Sequence, residues 1–166
     1  MINPLIKRGL PILPKWVARP FAKTYVAGET SEEALMHVKN INAKGFAATI
    51  DILGEHTIDP AETVRVAEQY CELYRKINDQ SLDCGISIKP THLGLMISLD
   101  EATANISAIL NQAKAYGNFL RLDMESSRYT DQTLSIYRYC KRRYDHVGVV
   151  IQSCLRRSIR DVEVMA

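Results

Sequence analysis

The stretch "ISIKPTHLGL" (86–95) decides the fold. An apolar run of strand length ends in Lys89, and Pro90, His92 and Gly94 follow at once. A buried strand that closes on an ammonium needs a reason, and its neighbours supply one. Three more short runs have strand character: "FAATIDIL" (46–53), "FLRLDM" (119–124) and "VGVVIQ" (147–152). Helical patterns lie between them. Thr30 with Glu33, and Ser98 with Glu101, have capping-box spacing. Asp59 followed by Pro60 and Glu62 reads as an acceptor cap, a first-turn proline and an early acid. Thr130 and Ser158 are expected to cap two further helices. After Asp59 the apolar residues Ala61, Val64, Ala67, Cys71, Tyr74 and Ile77 form a stripe; after Ser98 come Ala102, Ile106, Ile109 and Ala113. A leading helix is expected near 30–43, and the proline-bearing stretch 1–28 as an arm.

Strands alternating with helices predict parallel βαβ units. Side chains alternate along a strand. Ile86, Ile88, Leu120, Leu122, Met124, Val149 and Ile151 take one face. Thr49, Asp51, Ser87, Lys89, Arg121, Asp123, Val150 and Gln152 take the other. A doubly wound sheet buries both faces and wants apolar residues throughout. One apolar face and one that turns polar towards its end instead suit a (βα)8 barrel of the TIM type, with helices outside and a site at the strand ends. Asp51, Lys89, Asp123 and Gln152 each precede a helix start by a similar interval, so all four are expected at C-terminal strand ends.

Composition narrows the function classes. The chain has 166 residues, 46% of them hydrophobic and 24% charged, which suits one globular domain. A net charge of +2 gives no argument for nucleic acid. Lys7, Arg8, Lys15, Arg19 and Lys23 precede the first acid, Glu29; a second basic cluster runs through Arg138, Lys141, Arg142, Arg143, Arg156, Arg157 and Arg160. Each reads as a solvated face or a surface for an anion. "GLPILPKWV" (9–17) is too short and too broken by proline to span a bilayer, and no signal peptide is read. Cys71, Cys84, Cys140 and Cys154 lack CxxC spacing and read as packing residues in a reducing compartment. There is no GxGxxG or P-loop pattern.

Lys89 has three readings. It forms an internal ion pair with Asp51 or Asp123, receives an anionic substrate group, or acts as a Schiff-base amine with lowered pKa. His56 and His92, beside acids, are compatible with a divalent metal, but neither belongs to an HxH or HExxH motif, and no metal is expected. His37 and His146 are given no role.

At these residues the sequence resembles the proline dehydrogenase family, flavoenzymes with a distorted (βα)8 barrel, and in particular the monofunctional bacterial type. The resemblance is carried by "YVAGET" (25–30), "NAKGFAATIDILGEHT" (42–57), "ISIKPTHLGL" (86–95), "LRLDMESSRYTDQTL" (120–134) and "VGVVIQSCLRRS" (147–158), and runs from about residue 14 to 162. It implies FAD-dependent oxidation of L-proline to 1-pyrroline-5-carboxylate, with electrons passed to a membrane quinone. Lys89 would contact the substrate carboxylate, Asp123 would be the catalytic aspartate, Met124 and Gln152 would touch the flavin, and Glu55 would form a gate ion pair with a late arginine. The family commonly spells the last segment "QAYL"; Ser153 and Cys154 depart from it.

The resemblance covers four of eight βα units. A fifth-strand arginine and a late arginine pair have no counterpart in the 166 residues, and Arg156 and Arg157 follow the wrong strand to replace them. The expected object is residues 29–166 as a leading helix plus the first half of such a barrel. Whether it is a fragment, a truncated product or a half-barrel stays open. The competing class is a non-catalytic half-barrel used for assembly or regulation, self-associating through exposed strand edges; a metal-dependent barrel hydrolase comes third. The expected location is the cytoplasm, with the basic arm a candidate for docking on the inner face of the membrane.

Overall fold

The computed structural model describes residues 27–165. The expected arm, 1–28, falls almost wholly outside them. Five helices and four strands alternate among the described residues: α1 (Ser31–Asn42), β1 (Ala48–Ile50), α2 (Pro60–Asp79), β2 (Cys84–Ile88), α3 (Leu99–Ala115), β3 (Leu120–Leu122), α4 (Thr130–Lys141), β4 (Val147–Val149) and α5 (Ser158–Met165). The strands are all parallel, in the order β1-β2-β3-β4. Sequential parallel strands joined by right-handed crossovers are expected to carry their connecting helices, α2, α3 and α4, on one face of the sheet.

That face is the core. Ile86, Ile88, Leu120, Leu122 and Val147 pack with α2, α3 and α4 in a single buried cluster. On α2 the buried face is Thr63, Val66, Ala67, Tyr70, Leu73, Tyr74 and Ile77. It is rotated from the expected stripe: Ala61 and Val64 are exposed. Ala67, Tyr74 and Ile77 are buried as read, but the i, i+3, i+4, i+7 repeat that starts at Thr63 and passes through Val66, Tyr70 and Leu73 sets the face. The expected face of α3 is buried as read.

Caps explain where most helices begin. Thr30 and Ser98 accept the N–H groups of Glu33 and Glu101, and Asp59 accepts that of Ala61. The two capping-box acids turn elsewhere. Glu33 takes the N–H of Glu29, and Glu101 accepts the Thr63 hydroxyl and so ties α3 to α2. Thr130 and Ser158 do not cap. A 3-10 turn, Ser127–Tyr129, leads into α4, so Thr130 is already helical and its buried hydroxyl has no partner. Ser158 is the first residue of α5 and donates its hydroxyl to the Gln152 carbonyl.

The opposite face of the sheet is layered. Phe119, just before β3, lies against Gly85 of β2 and Gly148 of β4, where an added Cβ would sit 3.1 and 2.8 Å from its ring. Two glycines thus make room for one large side chain at the base of the inner face. Above it the register sets Ser87 beside Arg121 and Arg121 beside Gly148. Phe119 is still 40% exposed. Of the cysteines, Cys84 and Cys140 are buried and Cys71 half-buried, but Cys154 is exposed and is not a packing residue. Among the described residues no helix is long and apolar enough to cross a membrane.

Gly54 shows how tightly the strand-end loops are packed. A Cβ there would stand 2.2 Å from the buried His92 ring. Gly54→Ala is expected to lower stability by about 1–3 kcal/mol through overpacking, measured by urea denaturation; an unchanged midpoint would show that the ring moves freely.

Candidate functional site

Asp51, Lys89 and Asp123 are each the first residue after their strand, following Ile50, Ile88 and Leu122. Parallel strands in register therefore deliver three charged side chains to one end of the sheet. The Lys89 ammonium hydrogen-bonds Asp51 Oδ2 and lies 3.8 Å from Asp123 Oδ2. All three side chains are about a quarter exposed. Burial opposes the charge on Lys89, but the hydrogen bond and charge of Asp51, with Asp123 and Glu125, overcome it and hold the pKa above the ordinary lysine value. Lys89 is thus protonated at neutral pH. As a protonated amine it can act as a cationic donor, and its surroundings do not on balance lower its pKa as a Schiff-base amine would need. An ammonium has three N–H donors. The Asp51 contact uses one, so a ligand carboxylate could be received without breaking it.

Each carboxylate is anchored separately. Asp123 Oδ1 accepts the Ser87 hydroxyl at 2.5 Å and Arg121 Nε at 3.2 Å; Arg121 Nε also reaches Ser87 Oγ at 3.0 Å. Asp51 Oδ1 accepts the Tyr70 hydroxyl at 3.1 Å. Ser87 and Tyr70 are almost fully buried.

The loops beyond the strands are stitched sideways. The Thr91 N–H and hydroxyl both donate to the Glu125 carboxylate, at 2.8 and 2.5 Å. The His56 and Thr57 N–H groups donate to Thr91 Oγ1 and O, at 3.0 and 3.1 Å. Gln152 Nε2 donates to the Glu125 carbonyl at 3.0 Å. One chain of bonds therefore joins all four loops. It holds His56 at φ 58°, a left-handed conformation uncommon outside glycine.

A cavity of about 570 Å³ opens above this frame, lined by Lys89, Arg121, Asp123, Met124, Val150 and the loop residues Glu55, His56, Glu125 and Ser126. Met124 reaches it although strict alternation assigned it to the outer face; β3 ends at Leu122, so alternation no longer governs. Glu55 is exposed, with His56 Nδ1 at 3.6 Å. Gln152 lies three residues beyond β4 and outside the cavity lining. His92 is buried behind the site, its Nδ1 without a partner. No group of three or more His, Cys, Asp or Glu is arranged to hold a metal among the described residues.

The family model for proline dehydrogenase matches residues 34–166. The chain belongs to the proline dehydrogenase family. Proline dehydrogenase 1 of Bacillus subtilis (strain 168) is 40% identical over 144 residues, which are 87% of this chain and 48% of that protein. Proline dehydrogenase of Deinococcus radiodurans is 33% identical over 145 residues, 84% of this chain and 47% of that protein. The chain thus spans about half the length of the relatives it matches. The crystal structure of proline utilization A (PutA) from Bdellovibrio bacteriovorus inactivated by N-propargylglycine superposes with a TM-score of 0.79 at 24% identity, covering 87% of this chain and 18% of that one. The fold is of the (βα)8 barrel type, and the described residues form four of its βα units.

Sequence reading had placed Asp51 in the polar set, but gave no role to Arg121, Ser87, Tyr70, Thr91 or Glu125. Arg121 and Ser87 were legible from strand alternation. Thr91 and Glu125 were not, because loop hydrogen bonds have no periodicity.

Burial holds the His92 imidazole below the ordinary histidine value of 6.5, against the pull of Asp51 and Glu62. As pH falls, the unfolded chain takes up this proton first. The His92 contribution is complete above the unfolded value and is lost as pH falls through the lower folded one. Thermal unfolding from about pH 7.5 to about pH 5 should show this loss, and His92→Leu should flatten it. An identical slope in the variant would clear His92 of the effect.

Proposed function

We propose that this chain supplies the strand-end half of an FAD-dependent site that oxidises L-proline to 1-pyrroline-5-carboxylate. The observation that carries this reading is Lys89, kept protonated at a strand end and facing the cavity with N–H donors to spare. A carboxylate held by a charged hydrogen bond orients the ring it belongs to, and hydride transfer depends largely on such positioning. Asp123 is assigned the catalytic role, beside both Lys89 and the cavity. Its charge holds Lys89 and attracts the substrate ammonium. Glu55, exposed on the first loop, is assigned to the gate ion pair.

The residues present fit a flavin. Met124 and Val150 give the cavity an apolar strip, and Gln152, bound through its amide nitrogen, keeps its side-chain oxygen for a donor. FAD, when bound there, would supply the acceptor for the hydride leaving proline. Electrons are assigned onward to a membrane quinone, with the protein in the cytoplasm and peripheral on the membrane's inner face.

The test uses a chimera in which residues 27–166 replace the matching half of Bacillus subtilis proline dehydrogenase 1. It should oxidise proline. Lys89→Met within it should weaken binding of proline and of a proline-like carboxylate inhibitor by roughly 2–5 kcal/mol, the range for losing one partner of a buried charged pair. Unchanged inhibitor binding would remove Lys89 as the receptor.

A second reading, a non-catalytic assembly module, is favoured by the sheet edges. β1 and β4 each have one unpaired edge among the described residues, and open edges of parallel strands invite pairing with another chain. The 166-residue chain alone is expected to bind FAD weakly, to leave proline unoxidised in the presence of an artificial electron acceptor, and either to self-associate or to remain partly disordered. Light scattering, FAD titration and that assay check it. Turnover comparable to a full-length relative would contradict the expectation.

A further inference from the structure

We propose that Tyr70 and Asp51 are positioning residues for Lys89: the buried Tyr70 hydroxyl fixes one oxygen of the Asp51 carboxylate, and the other oxygen fixes the Lys89 ammonium. Tyr70 belongs to α2, on the helical side of the sheet, and is fully buried. It is not among the residues lining the cavity. Its hydroxyl reaches the end of β1, where it accepts the Ile52 N–H at 3.1 Å. Its single proton then has two acceptors within range, Asp51 Oδ1 at 3.1 Å and the Ile52 carbonyl at 3.5 Å, and the shorter contact is to Asp51. The phenol is held in its protonated form, first by burial and then by the charge of Asp51. It therefore acts as a permanent donor.

The geometry divides the work of the carboxylate. Oδ1 faces the helix layer and Oδ2 faces Lys89. A carboxylate tied at one oxygen swings less, so its other oxygen offers the lysine a better-fixed acceptor. The remaining charged neighbours are less well placed. Asp123 stands 3.8 Å from the ammonium and is itself held by Ser87 and Arg121. Glu125 acts on Lys89 only through its charge and is engaged with Thr91. Calling Lys89 a substrate receptor rests on the reading proposed above. The relay from Tyr70 through Asp51 to Lys89 rests on geometry alone.

The experiment reads neither proline nor flavin, so its failure and the failure of that reading are separable. The 166-residue chain is labelled with ¹⁵N,¹³C-lysine and, separately, with ¹³Cζ-tyrosine. Lys89 Nζ is assigned by its loss in Lys89→Met, and Tyr70 by Tyr70→Phe. Exchange of the Lys89 ammonium protons with water should accelerate several-fold in Asp51→Asn and in Tyr70→Phe. The double variant should be no faster than Asp51→Asn. Amide exchange at Ile86 and Ile88 should stay at the parent rate, which excludes general loosening of the fold. Lys89→Met should also shift the Tyr70 Cζ signal, and should fail to do so when Asp51 is already Asn. Where Tyr70→Phe folds poorly, the Tyr70 signal is assigned instead by through-space contacts to its neighbours in the parent chain, so this second readout stands without that variant. Parent-like exchange in Asp51→Asn overturns the proposal. So does a Tyr70 signal that responds to Lys89→Met without Asp51.

Discussion

A lysine ammonium held between two aspartates, at the point where three parallel strands stop, is the constraint on which the site depends. Unit charges about 4 Å apart attract by roughly 4 kcal/mol at an effective dielectric of 20, but by only ~1 kcal/mol in bulk water. With about a quarter of each side chain exposed, the trio lies between open solvent and dry interior. The attraction is large enough to keep Lys89 charged against the cost of burial. The parallel direction of the strands makes the arrangement possible. Each of β1, β2 and β3 ends one residue before its charged side chain, so a single register gathers all three.

The surroundings are organised to keep that trio from moving. Tyr70 holds Asp51 from the helix side, and Ser87 and Arg121 hold Asp123 from within the sheet. Thr91 and Glu125 bind the loops to one another, and Ser158 fixes the Gln152 carbonyl. The strained backbone at His56 is kept by the same bonds. The hydride transfer proposed for this site would gain most from groups that do not need to reorganise. The lower inner face has the opposite character. Phe119 fits between two glycines yet stays partly exposed, and the sheet is unpaired beyond β1 and β4 among the described residues.

Strand direction, the polar inner face and the positions of Asp51, Lys89 and Asp123 could be read from "TIDIL", "ISIK" and "RLDM", because alternation along a strand is a local rule. Three helix starts were legible for the same reason: a cap is a contact between near neighbours. The failures share one cause. Thr130 and Ser158 were misread because a preceding turn and a distant carbonyl claimed them. The α2 stripe was misread in part, because Thr63 and Tyr70 are buried through contacts made elsewhere in the chain. Glu125 and Thr91, 34 positions apart, had no pattern to announce them. The roles proposed for Lys89, Asp123, Met124, Gln152 and Glu55 came from resemblance to the family; alternation located Lys89 and Asp123 but put Met124 on the wrong face.

The central claim is that Lys89 and Asp51 form one coupled unit. A double-mutant cycle on stability tests it most directly, using urea denaturation of the 166-residue chain, Lys89→Met, Asp51→Asn and the double variant. Each single change leaves a partly buried charge without its main partner, and should cost about 1–3 kcal/mol once its partial exposure is allowed for. The double variant removes both charges and should cost clearly less than the sum of the two. A double variant whose cost equals that sum would mean that the two residues do not interact, and the site would lose its organising contact.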